Sequence, residues 1–205
     1  MIHSARERRA AFELAWSLRA EGRLLRLEYA IEAFEELYVW DRLWDHDRAR
    51  RRVPDPFGVY RFVRDGSLRL VFAQAPHPPD VLPEEIYEPL CSRILAGETH
   101  RRTVPIALPV DEYSSLARDV GSPTVVEEVS RVLLVLGHRP RSTMARDPAP
   151  PPYETAERAG HVVHDPELVV SSMDFEGLPV KRRTGDIARF ALPGEPGPVR
   201  TSRRP

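Results

Sequence analysis

Over the first fifty residues, hydrophobic side chains recur at intervals of three and four, which is typical of one face of an amphipathic α-helix. Ser4, with Glu7 three residues later, has the spacing of a helix-capping box. The sequence therefore predicts two helices, or one helix interrupted at Gly22, over residues 1–50. The steps of three and four run through Leu24, Leu27, Ile31, Phe34 and Tyr38, and a second apolar edge holds Leu37, Trp40 and Trp44.

A β-hairpin is predicted over residues 57–74. Residues 58–64 and 67–73 are two strand candidates, rich in aromatic and aliphatic side chains. They are separated by Asp65-Gly66, and this dipeptide between two such runs is a strong signal for a two-residue turn. One side of this hairpin is expected to bury against the helical pair.

A further helix is predicted over residues 83–97. Pro83 suits a first helical position, where the missing N–H costs nothing, and Gly97 suits a helix end. Cys91 falls within this stretch. Because no histidine or basic cluster stands next to it in the sequence, we expect a small buried hydrophobic residue and not a nucleophile.

Residues 101–137 predict a strand, a helix, a tight turn and a second helix. The strand candidate, residues 103–108, alternates with period two, and it places Val104, Ile106 and Leu108 on one face and Thr103, Pro105 and Ala107 on the other. Pro105 removes a backbone donor, so this strand is expected to lie at the edge of a sheet. The first helix begins near Asp111, whose carboxylate suits a first turn, and ends at Gly121.

The second helix of this stretch is predicted to begin at Ser122, a capping residue, with Pro123 at the first helical position. The apolar run over residues 132–136 is equally typical of a buried strand, because periodicity alone does not separate the two. The helical stripe would consist of Val125, Val129, Val132, Leu133 and Leu136.

The remaining chain divides into three predicted parts. Residues 138–153 contain five prolines and predict a linker, residues 154–193 predict a small β-rich appendage, and residues 194–205 predict a disordered tail. Within the appendage, the strand candidates are residues 168–171, 178–181 and 187–192, with turns at Glu176-Gly177 and at 184–186. The predicted fold class is α+β, with one main domain over residues 1–137.

The order of strand, helix, turn and helix over residues 101–137 resembles the ribbon-helix-helix DNA-binding family of the Met-repressor and Arc type. The resemblance implies a dimer whose paired strands enter the major groove, and a second helix that holds a phosphate at its N-terminus. It implies that Thr103, Pro105 and Ala107 face the bases, that Arg101 and Arg102 lie beside the backbone, and that Ser122 and Thr124 hold phosphate.

Composition restricts the classes of function. The chain carries 30 lysines and arginines against 31 aspartates and glutamates, a formal net charge of −1 at pH 7, which argues against a protein that coats nucleic acid. Cys91 is the only cysteine, so neither an intrachain disulfide nor a thiolate metal cluster is available. Because no apolar run approaches membrane-spanning length, the sequence predicts no membrane partner and a cytoplasmic location.

Candidate metal chemistry is confined to His161, His164 and Asp165. A His-x-x-His pair at helical spacing with a carboxylate beside it would supply three ligands. The valines between the histidines favour an extended segment instead, in which residues three apart fall on opposite faces. The sequence contains no glycine-rich phosphate loop, and no cofactor is expected.

The sequence is compatible with three functions. The first is a non-enzymatic adaptor or structural subunit that binds a protein partner or a second copy of itself. The second is a DNA-binding regulator of the ribbon-helix-helix kind, and the third is a metal-dependent enzyme that uses His161 and His164. For the first function, the predicted partner-binding residues are Leu27, Ile31, Phe34 and Tyr38.

Overall fold

Fourteen β-strands and one short 3-10 helix make up the part of the chain that the computed structural model describes, namely residues 2–46, 52–55, 59–72, 90–112, 124–144, 148–150, 152–155, 158–163 and 166–183. The strands are β1 Ile2–Arg8, β2 Phe12–Glu21, β3 Leu24–Ala33, β4 Leu37–His46, β5 Arg52–Asp55, β6 Tyr60–Arg64, β7 Ser67–Phe72, β8 Leu90–Ile94, β9 Thr99–Ala107, β10 Val110–Asp111, β11 Thr124–Pro140, β12 Pro152–Thr155, β13 Arg158–Val162 and β14 Glu167–Arg183, and the 3-10 helix is Arg141–Met144.

The α+β prediction is wrong, because the described residues contain strands and no α-helix. The predicted N-terminal helical pair is a run of antiparallel strands. A spacing of four, as from Leu27 to Ile31, keeps two residues on one face of a helix and also on one face of a strand. A spacing of three, as from Leu24 to Leu27, distinguishes the two structures, because it keeps both residues on one face of a helix but places them on opposite faces of a strand. Leu24 is exposed whereas Leu25 and Leu27 are fully buried, as a strand requires. Gly22, predicted to interrupt a helix, has a φ of 60° in the turn between β2 and β3.

Two sheets result. The first sheet is fully antiparallel, in the order β1-β2-β3-β9. The second sheet has the order β10-β14-β11-β4-β8-β13-β12, and β5 pairs with β4. β11 is its centre, because β14 follows one edge of it while β7 and then β4 occupy the other.

The hydrophobic core lies between the two sheets. Inward-facing residues of β2, β3 and β9 pack against those of β7, β11 and β14 in one continuous cluster. The indole Nε1 of Trp16 in the first sheet donates a hydrogen bond of 2.9 Å to Ser171 Oγ in the second. The rings of Tyr29 and Phe72 meet edge to face with centroids 5.6 Å apart. Because each sheet turns an apolar face towards the other, the burial of these two faces is the main source of stability.

Two local predictions are confirmed. β6 and β7 form the expected hairpin, and the turn residues Asp65 and Gly66 have φ values of 52° and 70°, as a primed two-residue turn requires. β9 lies at the edge of the first sheet, as Pro105 predicted.

The ribbon-helix-helix resemblance is wrong. Its strand is β9, but the predicted second helix is most of β11, and the alternative of a buried strand over residues 132–136 is correct. Residues 113–123, which include most of the predicted first helix, lie outside the described part of the chain. In this run Val132, Leu134 and Leu136 belong to the core between the sheets, and Val135 on the opposite face is also fully buried.

The prediction of a helix over residues 83–97 is also wrong for the residues of this stretch that the structure describes, 90–97, which contain the strand β8. β8 pairs with β4 and β13, and Gly97 has a φ of 81° in the turn that leads into β9. Cys91 is fully buried in β8, in agreement with its predicted character. Burial, and secondarily the carboxylate of Asp41, raises the pKa of the Cys91 thiol well above its ordinary value, so the side chain stays protonated.

In the C-terminal third, β11 extends to Pro140 and the 3-10 helix follows it, in the region where the sequence predicted a linker. β14 is paired with β11 along almost its whole length, in the region of the predicted appendage. Glu176-Gly177, predicted as a turn between two strands, lies inside β14 opposite a shift of register in β11. Residues 194–205 lie outside the described part of the chain. Within that part, no helix has the length and apolarity needed to cross a membrane.

Gly137 allows β11 to pass close to a buried indole. A Cβ at this position would lie 3.3 Å from Trp40 ring carbons and 3.3 Å from Pro166 Cβ, and Trp40 has almost no exposed surface. Substitution of Gly137 by alanine is therefore expected to lower the free energy of unfolding by about 1–3 kcal/mol, as overpacking does. Urea denaturation measures this. Ala107→Val, which enlarges an exposed residue of β9, is the control, and an equal loss in both variants would contradict the crowding.

Candidate functional site

The outer face of the first sheet carries an unusual arrangement of small and charged side chains. Alternation along the strands turns Trp16 and Tyr29 into the core and leaves their neighbours facing solvent. Alanine has a low preference for strands. Yet Ala15 and Ala30 lie directly opposite each other on the two central strands and face outward.

The strand register extends this pair into a row across the whole sheet. Arg6 lies opposite Ala15 and Arg101 lies opposite Ala30, so two arginines flank two alanines; we refer to these four residues as the alanine row. The adjacent cross-strand set, which we call the serine row, consists of Ser4, Ser17, Glu28 and Thr103. Three side chains of the serine row end in a hydroxyl, which both donates and accepts hydrogen bonds.

These two rows line an open trough of about 600 Å³. Its walls and floor come from four short segments, residues 4–6, 15–17, 28–30 and 101–103. The small side chains in the middle lower the floor, while the longer side chains of Arg6, Glu28 and Arg101 rise around it. Because the trough crosses all four strands, its shape depends on the pairing of the sheet as a whole.

Ion pairs hold several charged residues around the trough. Arg6 contacts Glu13 at 3.4 Å, and both Arg19 and Arg26 contact the single carboxylate of Glu21. Outward-facing charges on the four strands are nearly balanced, with five arginines and four glutamates: Arg6, Arg8, Arg19, Arg26 and Arg101 against Glu13, Glu21, Glu28 and Glu32.

The residues predicted to bind DNA are divided by the structure. Arg101 and Thr103 face outward in the trough. Arg102 has the opposite orientation and forms an ion pair of 3.6 Å with the buried Asp41. Thr124 is the first residue of β11, and Ser122 lies outside the described residues. The predicted set therefore does not form one surface.

The residues predicted to bind a protein partner are mostly interior. Leu27 and Ile31 belong to the core between the sheets, and Tyr38 is buried on the opposite face of the second sheet. Phe34 is 40% exposed, and the guanidinium of Arg8 lies 5.2 Å above its ring centre. Of these four residues, only Phe34 presents a surface to solvent.

The candidate metal ligands do not form a described site. His161 lies in β13, with Nδ1 3.1 Å from the carbonyl oxygen of Pro150 and its ring against the edge of Tyr38. His164 and Asp165 lie outside the described residues. Within the described ranges, no group of three histidine, cysteine or carboxylate side chains is arranged to hold a metal ion.

A second polar cluster joins the two sheets at β9. Asp41, fully buried in β4, accepts a hydrogen bond of 2.7 Å from Ser92 Oγ, and its Oδ2 lies 2.8 Å from His100 Nε2. Arg102 reaches the same oxygen. A shift of register in β4 between Trp40 and Arg42 accompanies this inward carboxylate, as bulges often do where a side chain is redirected.

This cluster has the residue types of a catalytic triad in a different arrangement. In a triad, the imidazole stands between the carboxylate and the hydroxyl, so that it takes the hydroxyl proton. Here Ser92 and His100 both contact Oδ2 of Asp41, and the carboxylate stands between them. The arrangement ties β9 of the first sheet to β4 and β8 of the second, which is a structural role.

Sequence reasoning missed most of the trough, including Arg6, Ala15, Ala30 and Glu28. The available signal was the strict alternation within β2 and β3, each of which has an alanine near its middle on the polar face. An assignment of strands would have placed these alanines outward. The facing register would still have been required to bring them together.

The described residues thus define an all-β protein of two packed sheets with an open, polar trough on one outer face. No protein-family model, no curated protein and no solved structure matches the chain.

Proposed function

We propose that this protein is a non-enzymatic binding module that holds a protein partner in the trough of the first sheet. The observation that supports the proposal is the alanine row, because two alanines at facing outward positions lower the surface where longer side chains would fill it. A partner segment laid across the four strands would contact the alanine floor and the hydroxyls of the serine row together.

The shape and chemistry of the trough favour a polypeptide over other ligands. Sites for small molecules are concave, largely apolar and enclose most of the ligand, whereas this trough is open and lined by charged and hydroxyl side chains. Among the outward-facing residues of the four strands, all of which are described, none is aromatic, so single-stranded nucleic acid and sugars lack a stacking surface. Arginines and glutamates are also nearly equal in number on this face, so the face lacks the excess of positive charge that binding to duplex DNA requires.

Filling the trough tests the proposal. Peptides that bind the full-length protein are first selected from a displayed random library, and their affinities are then measured by fluorescence anisotropy. Substitution of Ala30 by tryptophan is expected to weaken these peptides at least tenfold, because the new side chain occupies the floor. Ala107→Trp, an equally large substitution on the outer face of β9 but outside the trough, is expected to leave their affinities unchanged.

Ala30 faces solvent, so its substitution is expected to leave the thermal midpoint close to that of the unsubstituted protein, and this is measured in parallel. Selected peptides that bind the Ala30→Trp variant as tightly as the unsubstituted protein would show that the trough is not the binding site. A selection that yields no peptide would also contradict the proposal.

A further inference from the structure

We propose that the segment held in the trough is acidic, and that one of its carboxylates binds between Arg6 and Arg101 above the two alanines. This inference rests on the proposed function and specifies the chemistry of its partner. It comes from the alanine row, in which arginines stand at the two ends and alanines between them.

The geometry of the row favours a single anionic group at its centre. Arg6 and Arg101 stand on the two outermost strands of a four-stranded sheet, roughly 14 Å apart at the backbone if neighbouring strands are spaced as usual. Alanine at the two central positions leaves the space between them open. Two long arginine side chains can lean inward from opposite sides, and guanidinium groups donate paired hydrogen bonds that match a carboxylate.

The positions and ion pairs of the five arginines on this face select these two. Arg19 and Arg26 are both engaged by Glu21, and Arg8 lies opposite Glu13 and outside the trough. Arg101 is exposed and forms no ion pair with a described residue. Arg6 shares its contact with Glu13 at 3.4 Å and is 79% exposed, so a ligand can reach it from solvent.

The serine row limits the kind of anion. Glu28 stands beside the alanine row and repels a second negative group on that side, which disfavours a polyphosphate backbone with closely spaced charges. Ser4, Ser17 and Thr103 offer hydroxyls to the backbone of an extended peptide. A peptide that carries an isolated carboxylate fits both rows.

The test compares two fluorescein-labelled serine-rich peptides of equal length, one with a single glutamate at its centre and the other with glutamine at that position. The single carboxylate is the isolated anionic group that the two rows favour, and the glutamine peptide has the same size without the charge. The full-length protein is titrated into each peptide at low ionic strength, and anisotropy is recorded. We expect the glutamate peptide to bind at least tenfold more tightly than the glutamine peptide.

Substitution of Arg101 by glutamine is expected to weaken binding of the glutamate peptide at least tenfold. The matched variant Arg26→Gln is expected to change the affinity for the same peptide less than threefold. Arg26 lies on the same face but is held by Glu21 and stands outside the trough. Equal binding of the two peptides, or equal effects of the two substitutions, would overturn the inference. Tighter binding of a short DNA duplex with the same dependence on Arg101 would overturn it as well.

The two proposals fail separately. If library-selected peptides bind in a way that Ala30→Trp abolishes but Arg101→Gln leaves intact, the trough is a binding site whose partner is not acidic. If no peptide depends on Ala30, the trough is not the binding site and both proposals are overturned.

Discussion

Replacement of Asp41 by alanine is expected to lower the free energy of unfolding by about 3–5 kcal/mol, the range found when one partner of a buried ion pair is removed. The Asp41 carboxylate is fully buried, and one of its oxygens is contacted by Ser92, His100 and Arg102. Without it, the largely buried guanidinium of Arg102 loses a compensating charge. The connection of β9 to the second sheet is weakened at the same time.

Urea denaturation followed by tryptophan fluorescence measures this loss. Asp174→Ala is the matched control, since Asp174 also pairs with an arginine, Arg131, but is 86% exposed at the surface. Surface pairs contribute about 0–1 kcal/mol, so the control should unfold almost as the unsubstituted protein does. Comparable losses in the two variants would mean that Asp41 does not tie the sheets together.

The features predicted correctly from the sequence are those with a local cause. Asp65-Gly66 specifies a turn because the dipeptide itself tolerates positive φ, and Pro105 marks an edge because it lacks a donor wherever it stands. Both effects act within a few residues. Neither requires knowledge of which strands become neighbours.

The prediction of helices over residues 1–50 and 122–137 was wrong for a physical reason. A spacing of four fits both a helix and a strand, so Leu27 and Ile31 alone support either structure. The buried stripe predicted for a second helix contains Val125, which is 52% exposed in β11. In β11, tertiary pairing on both edges decides the structure, and the run of valine and leucine agrees with it.

The candidate site was predictable only in part. Thr103 was expected on the face of a strand opposite Val104 and Ile106, and it lies on the outer face of β9. Arg101 and Arg102 were expected together beside a DNA backbone, but alternation turns Arg102 inward to Asp41. Arg6 and Arg101 share a row only because β2 and β3 lie between β1 and β9, and that order is a property of the folded sheet.

The stability of the protein is expected to fall by about 3 kcal/mol as the pH is lowered from about 7 to about 4, because of His138. Its imidazole is buried against Phe12, with ring centroids 4.8 Å apart. Burial, and secondarily the positive charge of Arg9, lowers the pKa of His138 from 6.5 to about 4. Between these two values the unfolded chain binds a proton that the folded protein does not, so unfolding is favoured progressively as the pH falls.

Substitution of His138 by phenylalanine, which keeps a ring against Phe12, isolates this contribution. Above pH 6.5 the histidine is neutral in both states and contributes no pH dependence, whereas below about pH 4 it is protonated in both and the full loss is present. The free energy of unfolding of the unsubstituted protein minus that of the variant, measured in urea, should therefore be lower at about pH 4.5 than at about pH 7 by about 2–3 kcal/mol. If the free energies of unfolding of the two proteins changed equally with pH, the acid sensitivity would belong to other groups. Protonation of carboxylates that form ion pairs in the folded state also destabilises a protein.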